Sequence, residues 1–276
     1  MLLSNIIKAI VLGVVQGITE WLPISSTGHL ILFDEFLKLN EPKEFMDLFN
    51  VVIQLGSILA VVVIFFHKMN PLSSNKTKAE KEDTWKLWEK VVIAMIPSVV
   101  IGLFLNDWLE EHLQKIFPVA VTLIFYGVAF IVIERLHKGK QSKFANLNSL
   151  TMQTVLIIGC FQVLALIPGT SRSGATILGA IIFGCSRYVA MEFSFFLAVP
   201  TMFGASGLKI FKFILKGNTF TNEQVLILGI GSLIAFLISI IAIKFLLKFI
   251  QTRDFEPFGW YRIGLGIVLL AYLFFI

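Results

Sequence analysis

The chain has 276 residues, of which 57% are apolar and only 15% charged, and its mean hydropathy is +0.84. These values exceed what a soluble core requires and exclude a disordered chain or a collagen-like fibre, while long apolar runs without alternation argue against a membrane β-barrel. The formal charge of +5 sits mostly on lysines in short loops between apolar runs, where it records membrane orientation, so no nucleic-acid partner is inferred. An all-α integral membrane protein is the expected fold class.

In chain order, the first stretch, Ile6–Leu22, carries Gln16 and Glu20 and is cut by Pro23. Lys8 lies within the apolar part and no small-x-small site follows, so the stretch reads as part of the mature chain and not as a cleaved signal. The next piece, Ile24–Leu37, is short and contains Ser25, Ser26 and His29. Leu48–Phe66, Trp88–Leu105 and Ile116–Ile133 then come close to the about 20 apolar residues that a crossing helix needs. Met152–Ile167 is cut by Pro168, a polar Gly-Thr-Ser-Arg-Ser-Gly follows, and a short run leads to Gly184. Phe193–Leu208, Val225–Leu247 and Phe258–Ile276 complete six candidate spans. The two interrupted stretches consist of pieces of roughly 20–25 Å, less than the hydrocarbon thickness of roughly 30 Å, and each reads as a re-entrant helical hairpin.

The interrupted stretches also resemble each other. At an offset of 146, Gly13, Gln16, Ser25, Gly28, Ile31 and Leu32 fall on Gly159, Gln162, Ser171, Gly174, Ile177 and Leu178. Downstream, Glu44-Phe45 and Gly56 fall on Glu192-Phe193 and Gly204 at an offset of 148. The expectation is a single membrane domain over 1–276, with repeat one at about 1–136, a cytoplasmic linker at about 137–150 and repeat two at about 151–276. A hairpin plus three crossings in each half gives the repeats inverted topology. Loops around 67–90, 134–148, 184–188 and 244–262 carry 15 Lys and Arg, against 7 for the N-terminus, 34–47, 106–115 and 208–223, with Arg172 on neither side. The richer set is expected in the cytoplasm. Both termini are then extracytoplasmic, and the hairpins dip from opposite sides until their tips meet.

Ionisable groups within the bilayer are expensive, so those in the hairpins are functional candidates. In the first, Gln16 and Glu20 are four apart and Ser26 and His29 three apart, spacings that bring side chains together on a helix. In the second, Pro168-Gly169-Thr170-Ser171-Arg172-Ser173-Gly174 reads as an anion cradle: glycines allow close backbone approach, a helix N-terminus adds positive potential, and hydroxyls with one guanidinium supply donors. Thr176 continues that donor set. A plainer role for the same residues is helix packing, with Arg172 paired to Glu20. Asp47, Asn50 and Gln54 could also line the site. His67, His112 and His137 read as solvated, and Cys160 and Cys185 form neither a disulfide framework nor a metal motif. No nucleotide-binding loop or paired-cysteine metal motif is present.

Gln16-Gly-Ile-Thr-Glu20-Trp-Leu-Pro-Ile-Ser25-Ser26-Thr-Gly-His29 and Pro168-Gly-Thr-Ser171-Arg172-Ser173-Gly-Ala-Thr176 resemble the two signature motifs of the bacterial undecaprenyl-diphosphatase family associated with bacitracin resistance. The resemblance covers essentially the whole chain. It implies a phosphatase of the bacterial cell membrane that hydrolyses undecaprenyl diphosphate to the monophosphate, returning the lipid carrier to peptidoglycan synthesis, with a site opening outward. Ser26, the one serine three residues from the one histidine of the two stretches, is the expected nucleophile, with an activated water as the alternative, Glu20 and His29 in acid-base roles and Arg172 on the phosphates. Ser25, Gln16, Gly169, Thr170, Ser171, Ser173 and Thr176 are the remaining substrate-binding candidates. No covalent cofactor is expected; a divalent cation, Mg or Ca, held at Glu20 is a candidate, as is a homodimer. The family motif often has Glu where Gln16 stands, which weakens Gln16 as an acid or base. Membrane type-2 phosphatidic acid phosphatases share fragments of these motifs but require a later histidine, and none follows Arg172. The alternative from another class is a polyprenyl-phosphate transporter or flippase, since inverted repeats with broken helices are also transporter architecture.

Overall fold

The computed structural model describes residues 2–37, 39 and 41–275, so Lys38, one of the charges counted above, lies outside the described residues. The chain is helical throughout: α1 (Leu2–Thr19), α2 (Ser26–Phe36), α3 (Lys43–Ile64), a short α4 (Phe66–Met69), α5 (Lys78–Leu113), α6 (Ile116–His137), α7 (Met152–Val163), α8 (Arg172–Ile182), α9 (Arg187–Leu215), α10 (Asn222–Phe249) and α11 (Glu256–Phe275). The described residues form no named strand, only an isolated bridge between Phe144 and Cys185. Seven of these helices are long and apolar enough to cross a membrane: α1, α3, α5, α6, α9, α10 and α11. That is one more than the six candidate spans. Helix α1 begins at Leu2 and runs unbroken through Gln16, whose side chain is fully buried, so the polar residue does not shorten the helix. Helices α2 and α8 have 11 residues each, about 17 Å at the helical rise.

Large apolar side chains such as Phe104, Phe125, Ile241 and Phe274 are exposed around the bundle. On a soluble monomer this surface would promote association; on a multi-pass membrane protein it faces lipid. Inside, small residues allow close helix approach. A Cβ on Gly127 of α6 would come within 2.7 Å of the Gly259 carbonyl of α11, and a Cβ on Gly259 within 2.7 Å of the Gly127 carbonyl.

Side-chain contacts collect the connecting segments into two groups. Glu41 accepts from Asn5 (3.3 Å) and from Gln224 (2.9 Å), and Lys209 and Lys212 pair with Glu110 and Asp107. The start of α1, the segment after α2, the end of α5, the end of α9 and the start of α10 therefore lie together. At the opposite end, Glu134 holds Arg187 and the Phe255 amide, Arg135 pairs with Glu256, and Lys143 and Phe144 bond the Gly184 carbonyl. The chain thus enters and leaves α1–α2 at one end, and enters and leaves α7–α8 at the other.

Each of these paired elements breaks in the same way. Ser25 (φ 72°) and Ser171 (φ 71°) are the non-glycine residues with positive φ among the described residues, a region sparsely populated by side-chain-bearing residues. Each N-caps the helix that follows: the Ser25 hydroxyl accepts from the Gly28 amide (3.3 Å) and the Ser171 hydroxyl from the Gly174 amide (3.2 Å). These caps satisfy donors otherwise left open at the start of α2 and α8. The two elbows meet in the interior of the bundle.

Candidate active site

Glu20 is the centre of the contact between the elbows. It is 7% exposed, and its two oxygens bind different halves of the molecule. Oε1 accepts from Arg172 Nη2 at 3.1 Å, whereas Oε2 accepts from Ser26 Oγ at 2.9 Å and from Gln16 Nε2 at 2.8 Å. The Gln16–Glu20 contact is the one expected from their helical spacing. Arg172 also donates to the Ser194 carbonyl (3.1 Å) and lies 6.0 Å from the Trp21 ring, a cation–π distance. The carboxylate beside Ser26 can take its proton, and the guanidinium, once released from Glu20, presents a planar fork to phosphate oxygens.

The second elbow brings its hydroxyls to the same place. Ser173 Oγ lies 3.4 Å from the Glu20 carbonyl and 3.1 Å from Ser171 Oγ, and Thr176 Oγ1 lies 2.6 Å from Ser194 Oγ. Thr170 is fully buried behind the second elbow, with the Tyr126 phenol next to its hydroxyl. Gly169 has φ +90°, and a side chain there would collide with Thr122, whose hydroxyl donates to the Pro168 carbonyl at 2.8 Å.

Ser26 and His29 do not pair as their spacing suggests. Ser26 turns to Glu20, whereas His29 Nδ1 lies 2.7 Å from the Ser25 carbonyl and Nε2 lies 2.7 Å from Tyr261 Oη. A carbonyl only accepts, so Nδ1 carries a proton; in the neutral ring Nε2 then accepts from the phenol. The two rings are stacked, 5.6 Å apart and 6° from parallel. Both line an apolar cleft of about 720 Å³ walled by Ile10, Val14 and Ile18 of α1 and by Phe33 and Phe258. The base within reach of Ser26 is therefore the carboxylate, with the imidazole facing the cleft. Ser25 is buried and its hydroxyl serves as the cap of α2, so its contribution is to backbone geometry. Gln54 donates to the Asn50 carbonyl on its own helix (3.1 Å), and neither joins the cluster.

Helical spacing and motif do not flag Tyr261, Ser194 or Arg262. Arg262 is fully buried, with Nη1 donating to the Pro23 carbonyl (3.1 Å) and Nη2 to the Gly169 carbonyl (2.8 Å). It was counted above with the loop charges of 244–262, and that assignment is corrected: it stands inside α11 and reaches both elbow tips. The signal was present, because a lone arginine falls within the apolar stretch from Phe258.

The donor set around Glu20 does not make a cation cage. Among the described residues no group of three or more His, Cys, Asp or Glu side chains is disposed to hold a metal ion, and both Glu20 oxygens are hydrogen-bonded.

Residues 9–268 match the family model described as bacitracin resistance protein BacA. The chain is 60% identical over 268 residues to an undecaprenyl-diphosphatase of Limosilactobacillus fermentum, covering 97% of each chain. It is likewise 60% identical over 275 residues to one of Enterococcus faecalis, covering 100% of each, and 59% identical over 274 residues to one of Latilactobacillus sakei, covering 99% of this chain and 100% of the relative. The chain belongs to the bacitracin resistance protein BacA family.

Proposed function

We propose that this member of the BacA family is itself an undecaprenyl-diphosphatase, which hydrolyses undecaprenyl diphosphate to undecaprenyl phosphate and inorganic phosphate. It thereby recycles the lipid carrier for cell-wall synthesis and confers bacitracin resistance. The observation that carries this reading is one carboxylate, Glu20, held between a hydroxyl of the first elbow and the guanidinium of the second. The names of the relatives agree with it.

The polyprenyl tail lies along the apolar cleft and out into lipid, which brings the diphosphate to the elbows. The diphosphate displaces Glu20 from Arg172, and Arg172 with Ser171 and Ser173 holds the phosphate oxygens. Ser26 Oγ attacks the terminal phosphorus as Glu20 takes its proton; an O–P bond forms, the bridging P–O bond breaks, and undecaprenyl phosphate leaves. Glu20 releases that proton to solvent, then takes a proton from the water that attacks the phosphoserine phosphorus and returns it to Ser26 Oγ as the Oγ–P bond breaks and inorganic phosphate leaves. Arg172 stabilises charge on the equatorial oxygens in both steps, as phosphoryl transfer depends mainly on positioning and electrostatics. His29, turned to the cleft, donates to the departing lipid phosphate from Nε2 as the imidazolium, the phosphate replacing Tyr261 as its partner. A divalent cation that accompanied the substrate would find Glu20 as its single carboxylate here and take its other ligands from the diphosphate.

In the membrane, α3, α5, α6, α9, α10 and α11 cross, while α1–α2 and α7–α8 form re-entrant hairpins of two inverted repeats, about 1–136 and 151–276. The gathering of each hairpin's two ends at one end of the bundle supports this. Removing the buried Arg262 leaves 14 Lys and Arg against 7, which supports a cytoplasmic location for the richer end and, with it, both termini outside and the site opening outward. A cysteine at Asn75 is expected to react with an impermeant thiol reagent only after permeabilisation, and one at Thr219 in intact cells. The reverse labelling would overturn the topology.

Release of inorganic phosphate from undecaprenyl diphosphate by the purified protein, lost in Ser26→Ala, is the expected result. A wild-type protein that binds the lipid and releases no phosphate would refute the proposed activity.

A further inference from the structure

The two carbonyls that Arg262 holds are equivalent positions of the duplication, because Pro23 and Gly169 differ by the same 146 residues as the two elbow serines. One guanidinium therefore bonds the same backbone atom of both repeats, at 3.1 and 2.8 Å. Each carbonyl lies two residues before its elbow serine, so the distance between these carbonyls governs the distance between Ser26 with Glu20 on one side and Arg172 on the other. The planar fork suits this task, since its donors diverge at fixed angles where a lysine has one compact head. The guanidinium lies over the Tyr126 ring at 5.6 Å, a cation–π distance.

The charge of Arg262 is also unusual. Arg172 has Glu20 as its carboxylate, but among the described residues no carboxylate forms a salt bridge with Arg262, and its Nε has no partner. A fully buried cation without a counter-ion is costly unless a ligand supplies the opposite charge. With no exposed surface, Arg262 does not touch that ligand; its field acts through the elbow backbone.

Resting on the diphosphatase reading above, we propose that Arg262 is a positioning residue that sets the register of the two half-sites and supplies the uncompensated positive potential that draws a diphosphate head group between them. Arg262→Lys keeps the charge and loses the double contact, so kcat should fall about 100-fold, the scale of a 1 Å misplacement, with KM for undecaprenyl diphosphate within about threefold of wild type. Arg262→Met loses both, and KM should rise about tenfold or more as well. Tyr126→Leu, which leaves Arg262 in place without its supporting ring, should lower kcat several-fold at unchanged KM and serves if the position-262 variants fail to fold.

A readout independent of turnover is the distance between nitroxide labels at Ile31 on α2 and Ile182 on α8, in a chain with Cys160 and Cys185 replaced by alanine. The distribution should be narrow with arginine at 262 and broad with lysine. Wild-type kcat per folded molecule in Arg262→Lys, or an unchanged label distribution, would overturn the proposal. So would a large rise in KM in the lysine variant, which would make Arg262 a direct substrate contact. If the wild-type protein releases no phosphate, the diphosphatase reading fails, while the label distances still test the register.

Discussion

The first and second elbows have nearly the same backbone and almost none of the same chemistry. Ser25 and Ser171 share a left-handed φ within one degree and cap the next helix through the same contact to a glycine amide. At the positions around them, however, Glu20, Ser26 and His29 face Leu166, Arg172 and Ala175 in the duplicate. The two matching positions share a costly backbone geometry, about 1–3 kcal/mol for each such residue, while the side chains around them differ and are complementary. In the proposed reaction one elbow supplies nucleophile and base, and the other supplies grip and positive charge. Neither half is a site alone, which is why the residues that join them, Glu20 and Arg262, matter as much as those that react.

If reactivity belongs to the first elbow, Glu20→Gln should have the largest effect, lowering kcat by about 10²–10⁴ with the protein still folded, as steady-state phosphate release would show. The second elbow should respond differently. Arg172→Lys keeps the charge but loses the fork, and should lower kcat by about 10²–10³ while also raising KM, because it holds substrate before and during transfer. A variant of Arg172 that altered neither parameter would reduce it to the ion partner of Glu20.

The asymmetry at His29 gives a smaller effect. Tyr261→Phe keeps the stacked ring and the cleft wall but removes the hydroxyl bonded to Nε2. One hydrogen bond is worth about 0.5–1.5 kcal/mol, so kcat should fall about three- to tenfold; an unchanged rate and pH profile would leave His29 without a role in proton transfer. The smallest effect tests what the elbows share. Ser25→Ala and Ser171→Ala should each lose about 0.5–2 kcal/mol of stability through the missing cap, equally within error in thermal unfolding, and retain measurable turnover. Unequal losses would show that the matching backbone hides different strains.

Much of this was legible in the sequence because it depends on local pattern. Apolar runs point to the helical membrane class, Pro23 and Pro168 with the polar residues beside them mark the breaks, and the offset of 146 pairs Ser25 with Ser171, the two residues that share a left-handed backbone. The Gln16–Glu20 and Glu20–Arg172 contacts also follow from spacing and charge. What local pattern does not determine is rotation about a helix axis and partner choice across the bundle. Ser26 and His29 have a spacing that permits contact, yet each found a partner, Glu20 or Tyr261, on another segment. Arg262 was obscured by its nearness to a helix start, where an arginine reads as a loop charge, and only the docking of α11 against both elbows gives it its contacts. Helix α1 starts at Leu2, before the expected Ile6, and ends at Thr19, with Gln16 inside it bonded to Glu20 just beyond its end.

The division of labour between the elbows is tested most directly by acid-quenching wild-type protein within its first turnover on undecaprenyl diphosphate and mapping phosphate on the denatured chain. Phosphoserine at position 26, absent from Ser26→Ala and scarce in Glu20→Gln, is the predicted result. Undiminished turnover in Ser26→Ala with no phosphorylated residue would contradict it, and would transfer the attack on phosphorus from the Ser26 hydroxyl to water.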